Sequence, residues 1–255
     1  MSSPIALIGT AWRFYRKQPV LNEIAFWMFF LPVAFMDAFG GIIGVVEAQG
    51  VDDLSLASYT AMEIAVVAPL LVVLFYLLFW GQACVLTVAK RMVNSPAGRN
   101  RTSFKAVRKE ARKFIGPLIL TEILRTIITL GWALLLIVPG VIYSARTVFY
   151  DIMLIEEGKI AYGRPVLNKS KDIVTGRTWS VIWRMIVVSL LIFLPVAIVD
   201  GSISTLLEIV DPRLETLGLV LSDMVDSLAG VFYITCIVAL YADLKNNPIL
   251  SSSKA

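Results

Sequence analysis

The chain has 255 residues; 58% are apolar or aromatic, 16% are charged, and the mean hydropathy is +0.78. Soluble domains carry roughly 45–50% apolar residues, so this composition excludes a water-soluble globular fold. It fits an all-α polytopic membrane protein, because six spans of about 20 residues would use about half of the chain. Histidine is absent, which excludes a Ser-His-Asp or Cys-His catalytic unit, an imidazole metal ligand and a histidine pH switch.

The first positive residue is Arg13, and no basic segment precedes a short apolar core with a small-residue cleavage site. The first span is therefore expected to serve as its own insertion signal. Residues 5–17, with Trp12, Phe14 and Tyr15, read as an amphipathic helix at headgroup level. A first span is centred on residues 24–46, and residues 47–63 carry four acids and no base. Residues 64–89 contain no charge and at about 1.5 Å per residue cross a bilayer of about 30 Å. Residues 90–113 follow with nine Lys/Arg and one acid, and their second half is again amphipathic. Spans at 114–138 and 141–155 flank Val138-Pro139-Gly140, a sequence that stops one helix and permits reversal. The return helix is short enough for a tilted or half-buried arrangement to remain open.

Residues 156–177 carry five Lys/Arg and three acids, including a third amphipathic stretch at 166–177. A fifth span at 178–199, an acidic segment at 200–215 and a sixth span at 216–241 complete the pattern. The basic loops are expected in the cytoplasm and the acidic ones outside, with both termini inside. The predicted organisation is one helical membrane domain over 1–245 and a short cytoplasmic tail over 246–255. Its plan is six transmembrane helices in three hairpins, each preceded by an interfacial helix.

From Leu134 to Arg184 the order of features is more specific than hydropathy. The run LLLIVPGVIYSARTVFYDIMLIEEG is followed by Asn168-Lys169-Ser170-Lys171 and Thr175-Gly176-Arg177-Thr178-Trp179. This resembles the YciC group of bacterial inner-membrane proteins, which is similar in turn to the membrane domains of some glycerophosphodiester phosphodiesterases. The resemblance implies a six-span fold, a bacterial inner-membrane location and a loose link to the envelope. It implies no catalytic residue.

Ionisable residues within spans are costly and are the default functional candidates. Counted from the Pro139 turn, Arg125 lies about 21 Å below it, Asp151 about 17 Å and Glu156 about 25 Å. Arg125 is thus expected to meet one of these acids across the hairpin. Glu122 shares its face. The set Glu122, Arg125, Asp151 and Glu156 reads as a structural ion-pair network, with a proton or substrate relay as the alternative. A second set is expected in the outer half: Asp37, Asp223 and Asp226, with Arg146 about 10 Å below the turn and Trp132 placed to cover Arg146. Asp223 and Asp226 share a face and oppose each other's ionisation. A water-accessible vestibule, a cation or proton site and a lipid-headgroup pocket all fit this set.

Cys84 and Cys236 sit in apolar runs and read as packing residues. No phosphate loop, paired cysteine ligands or acidic metal cluster occurs in the sequence, so no cofactor or metal is expected. The basic loops fit anionic membrane lipids better than nucleic acid. Protein partners are not indicated. The leading expectation is a non-enzymatic inner-membrane protein with an envelope or lipid-organising role; the alternative is a small transporter or channel using the outer acids.

Overall fold

The structure is a computed structural model that describes residues 2–38, 56–94, 103–157, 162–211 and 215–247. All secondary structure among the described residues is helical. Among the described residues, six segments are long and apolar enough to cross a bilayer: Val20–Ala38, Val67–Val93, Phe104–Leu135, Ile137–Glu157, Thr178–Leu207 and Leu217–Asn246. The chain is a multi-pass helical membrane protein.

Helix α1 (Pro4–Tyr15) starts where the Ser3 side chain accepts from the Ala6 N–H, with Pro4 at its first position. Proline lacks the N–H that would be unsatisfied there. Helix α2 (Val20–Ala38) follows and contains a π-helical stretch, Ala25–Phe30. Pro32 lies just beyond it; a proline ring collides with the carbonyl four residues back, and a wide turn relieves that contact. Helix α3 (Leu56–Asn94) crosses α2 closely at Gly81, where a Cβ would fall 2.8 Å from Phe29 Cε2 and 2.9 Å from Met28 Cβ. Only glycine fits that crossing without a shift of the neighbours.

Helix α4 (Phe104–Ala111) repeats the α1 design, with the Ser103 side chain accepting from the Ala106 N–H. A single 3₁₀ turn, Arg112–Phe114, leads into α5 (Ile115–Leu135). The chain reverses at the extended Leu136 and returns as α6 (Ile137–Arg146). The two helices touch where a Cβ on Gly140 would lie 3.0 Å from Ala133 Cβ. After Thr147–Phe149 comes α7 (Tyr150–Glu157), so the predicted fourth span at 141–155 is two helices rather than one. Helix α8 (Arg164–Val174) follows Gly163, whose φ of 79° is strained for any residue with a Cβ. Two long helices, α9 (Thr178–Val210) and α10 (Glu215–Asn246), close the fold. They run antiparallel, with Phe193 5.5 Å from Tyr233 between ring centroids and Gly218 against Leu207.

Asp200, expected to open an outward loop, instead lies within α9. A charge ends a hydropathy window, but it does not end a helix. The backbone hydrogen bonding continues to Val210, with Ser202 and Thr205 hydroxyls donating to the carbonyls of Ile198 and Gly201. Helix α3 likewise begins at Leu56, inside the segment predicted as an outer loop. The rest of that loop, residues 39–46 of the first span, the middle of the first basic loop and most of the tail lie outside the described residues.

The packed core gathers at one end of the bundle. Its fully buried members include Leu21 and Ile24 of α2, Val85 and Leu86 of α3, Leu118 of α5, Ile152 and Leu154 of α7 and Leu240 of α10. The amphipathic helices insert there too, through Leu7 and Ala11 of α1, Val107 and Ala111 of α4, and Val166 and Leu167 of α8. Their charged side chains Arg13, Lys17, Lys105, Lys109 and Lys169 stay exposed, so this is the basic end. At the other end the helices spread, and Leu134, Leu135, Leu206 and Ile209 face outward. Apolar surface of that kind is stable in lipid, where exposing it has no hydrophobic cost.

Candidate functional site

The α6–α7 break organises the polar chemistry of the basic end. A helix end leaves backbone groups unpaired, and such groups are costly away from water. Ser170 of α8 resolves both at once: its buried hydroxyl donates to the Arg146 carbonyl at 3.0 Å and accepts the Phe149 N–H at 3.2 Å. With the break fixed, Arg146 turns to one side of the bundle and Tyr150 and Asp151 to the other.

On the second side is a cleft of about 280 Å³, lined by Gln82, Glu122, Arg125, Tyr150, Asp151 and Tyr233 among others. Arg125 uses its whole guanidinium to tie α5 to α6. Nε donates to Thr147 Oγ1 at 3.0 Å, Nη2 to the Ser144 hydroxyl at 3.1 Å and carbonyl at 3.3 Å, and Nη1 to both Glu122 oxygens at 3.0 and 3.2 Å. Its guanidinium also sits 5.6 Å from the Tyr150 ring centroid. Asp151 accepts from Gln82 Nε2 at 3.1 Å and from the Ile152 N–H at 2.7 Å.

The expected four-residue network therefore divides. Glu122 and Arg125 pair as predicted, but neither Asp151 nor Glu156 forms an ion pair with Arg125. The break turns Asp151 toward α3 and Glu156 toward α10, where Glu156 accepts from the Tyr241 hydroxyl at 2.6 Å and pairs with Lys245. Gln82, Tyr150, Thr147 and Tyr241 complete these contacts and were not singled out from sequence, because neutral partners give no charge signal.

Arg146 is also displaced from expectation. Its Nε donates to Thr178 Oγ1 at 3.1 Å, at the first residue of α9. Asp200 is about 33 Å further along that helix, and Asp223 interacts electrostatically with Asp37, Asp200 and Asp226. Arg146 thus belongs to the basic end and the acids to the other region. Counting depth from the Pro139 turn misplaced it because α6 is only 10 residues long and the α5–α6 turn falls short of the α9–α10 tip. Nor, among the described residues, does Trp132 form a cation-π pair with Arg146; the nearby pairs are Arg125 on Tyr150 and Lys171 on Tyr143.

Without Arg146, Asp223 of α10 has Asp37 of α2, Asp226 of α10 and Asp200 of α9 as its acidic neighbours. One oxygen each of Asp200 and Asp223 is enclosed without a hydrogen-bond partner. No group of three or more potential ligands among the described residues has metal-binding geometry.

Two further clefts open at the basic end. One, of about 450 Å³, lies between α1, α3 and α10 and places Arg13, Lys17 and Thr10 over Leu7, Phe14, Met92 and Ala239. Asp243 at its rim is already engaged by the Ser2 N–H at 2.9 Å and hydroxyl at 2.7 Å. Helix α1 is held beside it by Trp12 and Tyr15, both edge-on to Phe232 at 5.8 Å. Burial pushes the Tyr15 phenol up to about 12, so it stays a donor, and it bonds to Asn22 Oδ1 at 2.7 Å. The other cleft, of about 430 Å³, is lined by Ile142, Arg146, Gly176, Arg177, Thr178, Trp179 and Ser180. A small apolar groove between α2 and α10, about 260 Å³, is lined by Phe26, Phe30, Met224 and Leu228 among others. Cys84 and Cys236 are buried free thiols, as expected of packing residues.

No family model, curated protein or solved structure matches the chain.

Proposed function

We propose that this chain is a non-enzymatic protein of the bacterial inner membrane that organises lipids of the envelope, with both termini in the cytoplasm. The observation that carries this reading is the basic end. Three amphipathic helices, α1, α4 and α8, bury their apolar faces in one core and leave their lysines and arginines exposed around it. Each precedes an outward-running apolar helix, so the chain reads as three units of an interfacial helix followed by a hairpin. Placed at the cytoplasmic leaflet, this ring of cations attracts anionic headgroups at about 1 kcal/mol per residue near the surface, while the spread apolar ends meet acyl chains. The resemblance to the YciC group supports the same location.

Native mass spectrometry of the protein purified in mild detergent tests the reading. Retained anionic phospholipid, in preference to zwitterionic lipid, is the expected result; a protein that leaves the micelle without lipid contradicts it. The convergence of Asp37, Asp200, Asp223 and Asp226 favours a second reading, a cation or proton transporter. Carboxylates gathered at one place oppose each other's ionisation and release or hold protons as a cation enters or leaves, so this reading requires flux in proteoliposomes.

A further inference from the structure

We infer that the cleft between α6, the α8–α9 turn and the start of α9 is a phospholipid site, with the lipid phosphate held between Arg146 and Arg177. This rests on the lipid-organising reading and names its binding residues. The cleft holds two half-buried arginines that have no carboxylate partner among the described residues. Arg146 is held by Thr178 through Nε alone, and Arg177 donates one Nη to the Asn247 carbonyl. Each keeps further N–H groups for an anion, and a guanidinium recognises phosphate oxygens in a planar, paired geometry. An arginine with no counter-charge at a membrane-embedded surface is unfavourable unless an anion meets it.

The surface above the cleft fits the rest of a lipid. Trp179 is 70% and Trp183 64% exposed, and Ile186 and Leu190 continue the same face of α9. Their spacing of four, three and four residues forms a single stripe. Tryptophans at headgroup level followed by aliphatic side chains match the order of glycerol backbone and acyl chain along a lipid. A soluble phosphate would use the arginines and leave this stripe without a role. Net positive charge in the cleft selects a headgroup with net negative charge over a zwitterionic one, whose own ammonium would oppose the arginines.

The full-length protein in mixed micelles is titrated with phosphatidylglycerol and, separately, phosphatidylcholine, and the first bound lipid is measured by native mass spectrometry. Wild type should bind phosphatidylglycerol more tightly, and Arg146→Gln with Arg177→Gln should weaken it about tenfold or more while leaving phosphatidylcholine unchanged. An unchanged phosphatidylglycerol affinity overturns the site. So does weakening by Arg13→Gln with Lys17→Gln alone, which would move the lipid to the other basic cleft, and so does displacement by millimolar inorganic phosphate. If the double variant fails to fold, a photo-crosslinking residue at the exposed Trp179 in bilayers keeps the question open to refutation: preferential crosslinks to phosphatidylglycerol support the site, and equal yields with both lipids refute it. A wild type without any lipid preference would defeat the lipid-organising reading as a whole, whereas preference that survives in the double variant would defeat only this site.

Discussion

Replacing Ser170 by alanine isolates the role of the α6–α7 break. The substitution removes one oxygen, leaves almost no cavity and keeps helix propensity favourable in α8. Its cost comes from the two backbone groups that the hydroxyl now satisfies, the Arg146 carbonyl at 3.0 Å and the Phe149 N–H at 3.2 Å. Each buried group left unpaired costs about 1–3 kcal/mol, so the expected loss for the two is about 2–6 kcal/mol. Reversible unfolding in mixed micelles, compared between Ser170→Ala and wild type, measures it. Ser170→Thr keeps the hydroxyl but adds a methyl at a site with no exposed surface, so it should lose stability through packing while keeping both bonds. A loss for Ser170→Ala within about 0.5 kcal/mol of zero would show that the break is satisfied in another way, and the argument that α8 positions Arg146 and Asp151 would fail.

Arg125→Ala should cost about 3 kcal/mol in the same assay, because it leaves Glu122 without its cation and unties α5 from α6; wild-type melting would mean that the guanidinium is merely solvated. Gly81→Ala should cost about 1–3 kcal/mol, since the new Cβ meets Met28 Cβ at 2.9 Å and a side-chain stem cannot swing away; unaltered thermal stability would mean that α2 and α3 separate freely. For transport, wild-type proteoliposomes under an imposed pH or cation gradient should show flux that Asp223→Asn with Asp226→Asn abolishes; flux no greater than in empty liposomes removes that reading.

Local features of this fold were legible in the sequence, and long-range ones were not. The six apolar segments and the three amphipathic stretches follow from composition and periodicity alone. The Glu122–Arg125 pair is legible because residues three apart on a helix always meet. Arg125 was expected to reach across the α5–α6 reversal, and it does, but to Ser144 and Thr147 rather than to an acid. Charge counting assigns carboxylates as partners, whereas a helix break supplies hydroxyls and carbonyls that have no signature in hydropathy. The same break explains Asp151 and Glu156, each turned away by a change of helix direction that an unbroken 3.6-residue count omits. Arg146 failed for a different reason: its depth depends on where a hairpin sits against the other helices, which only packing decides. Gly81 gave no signal at all, since a close helix crossing is a property of two segments and not of one.

Which way the basic end faces decides whether its cations can meet the cytoplasmic leaflet. Cys84 and Cys236 are both buried, so an introduced cysteine can be labelled against little background. Asn168→Cys on α8 and Ser204→Cys near the far end of α9 are both exposed positions. In intact cells a membrane-impermeant maleimide should label Ser204→Cys and spare Asn168→Cys until the membrane is opened. Labelling of Asn168→Cys in intact cells, with Ser204→Cys protected, would put the basic end outside and contradict the proposed cytoplasmic lipid surface.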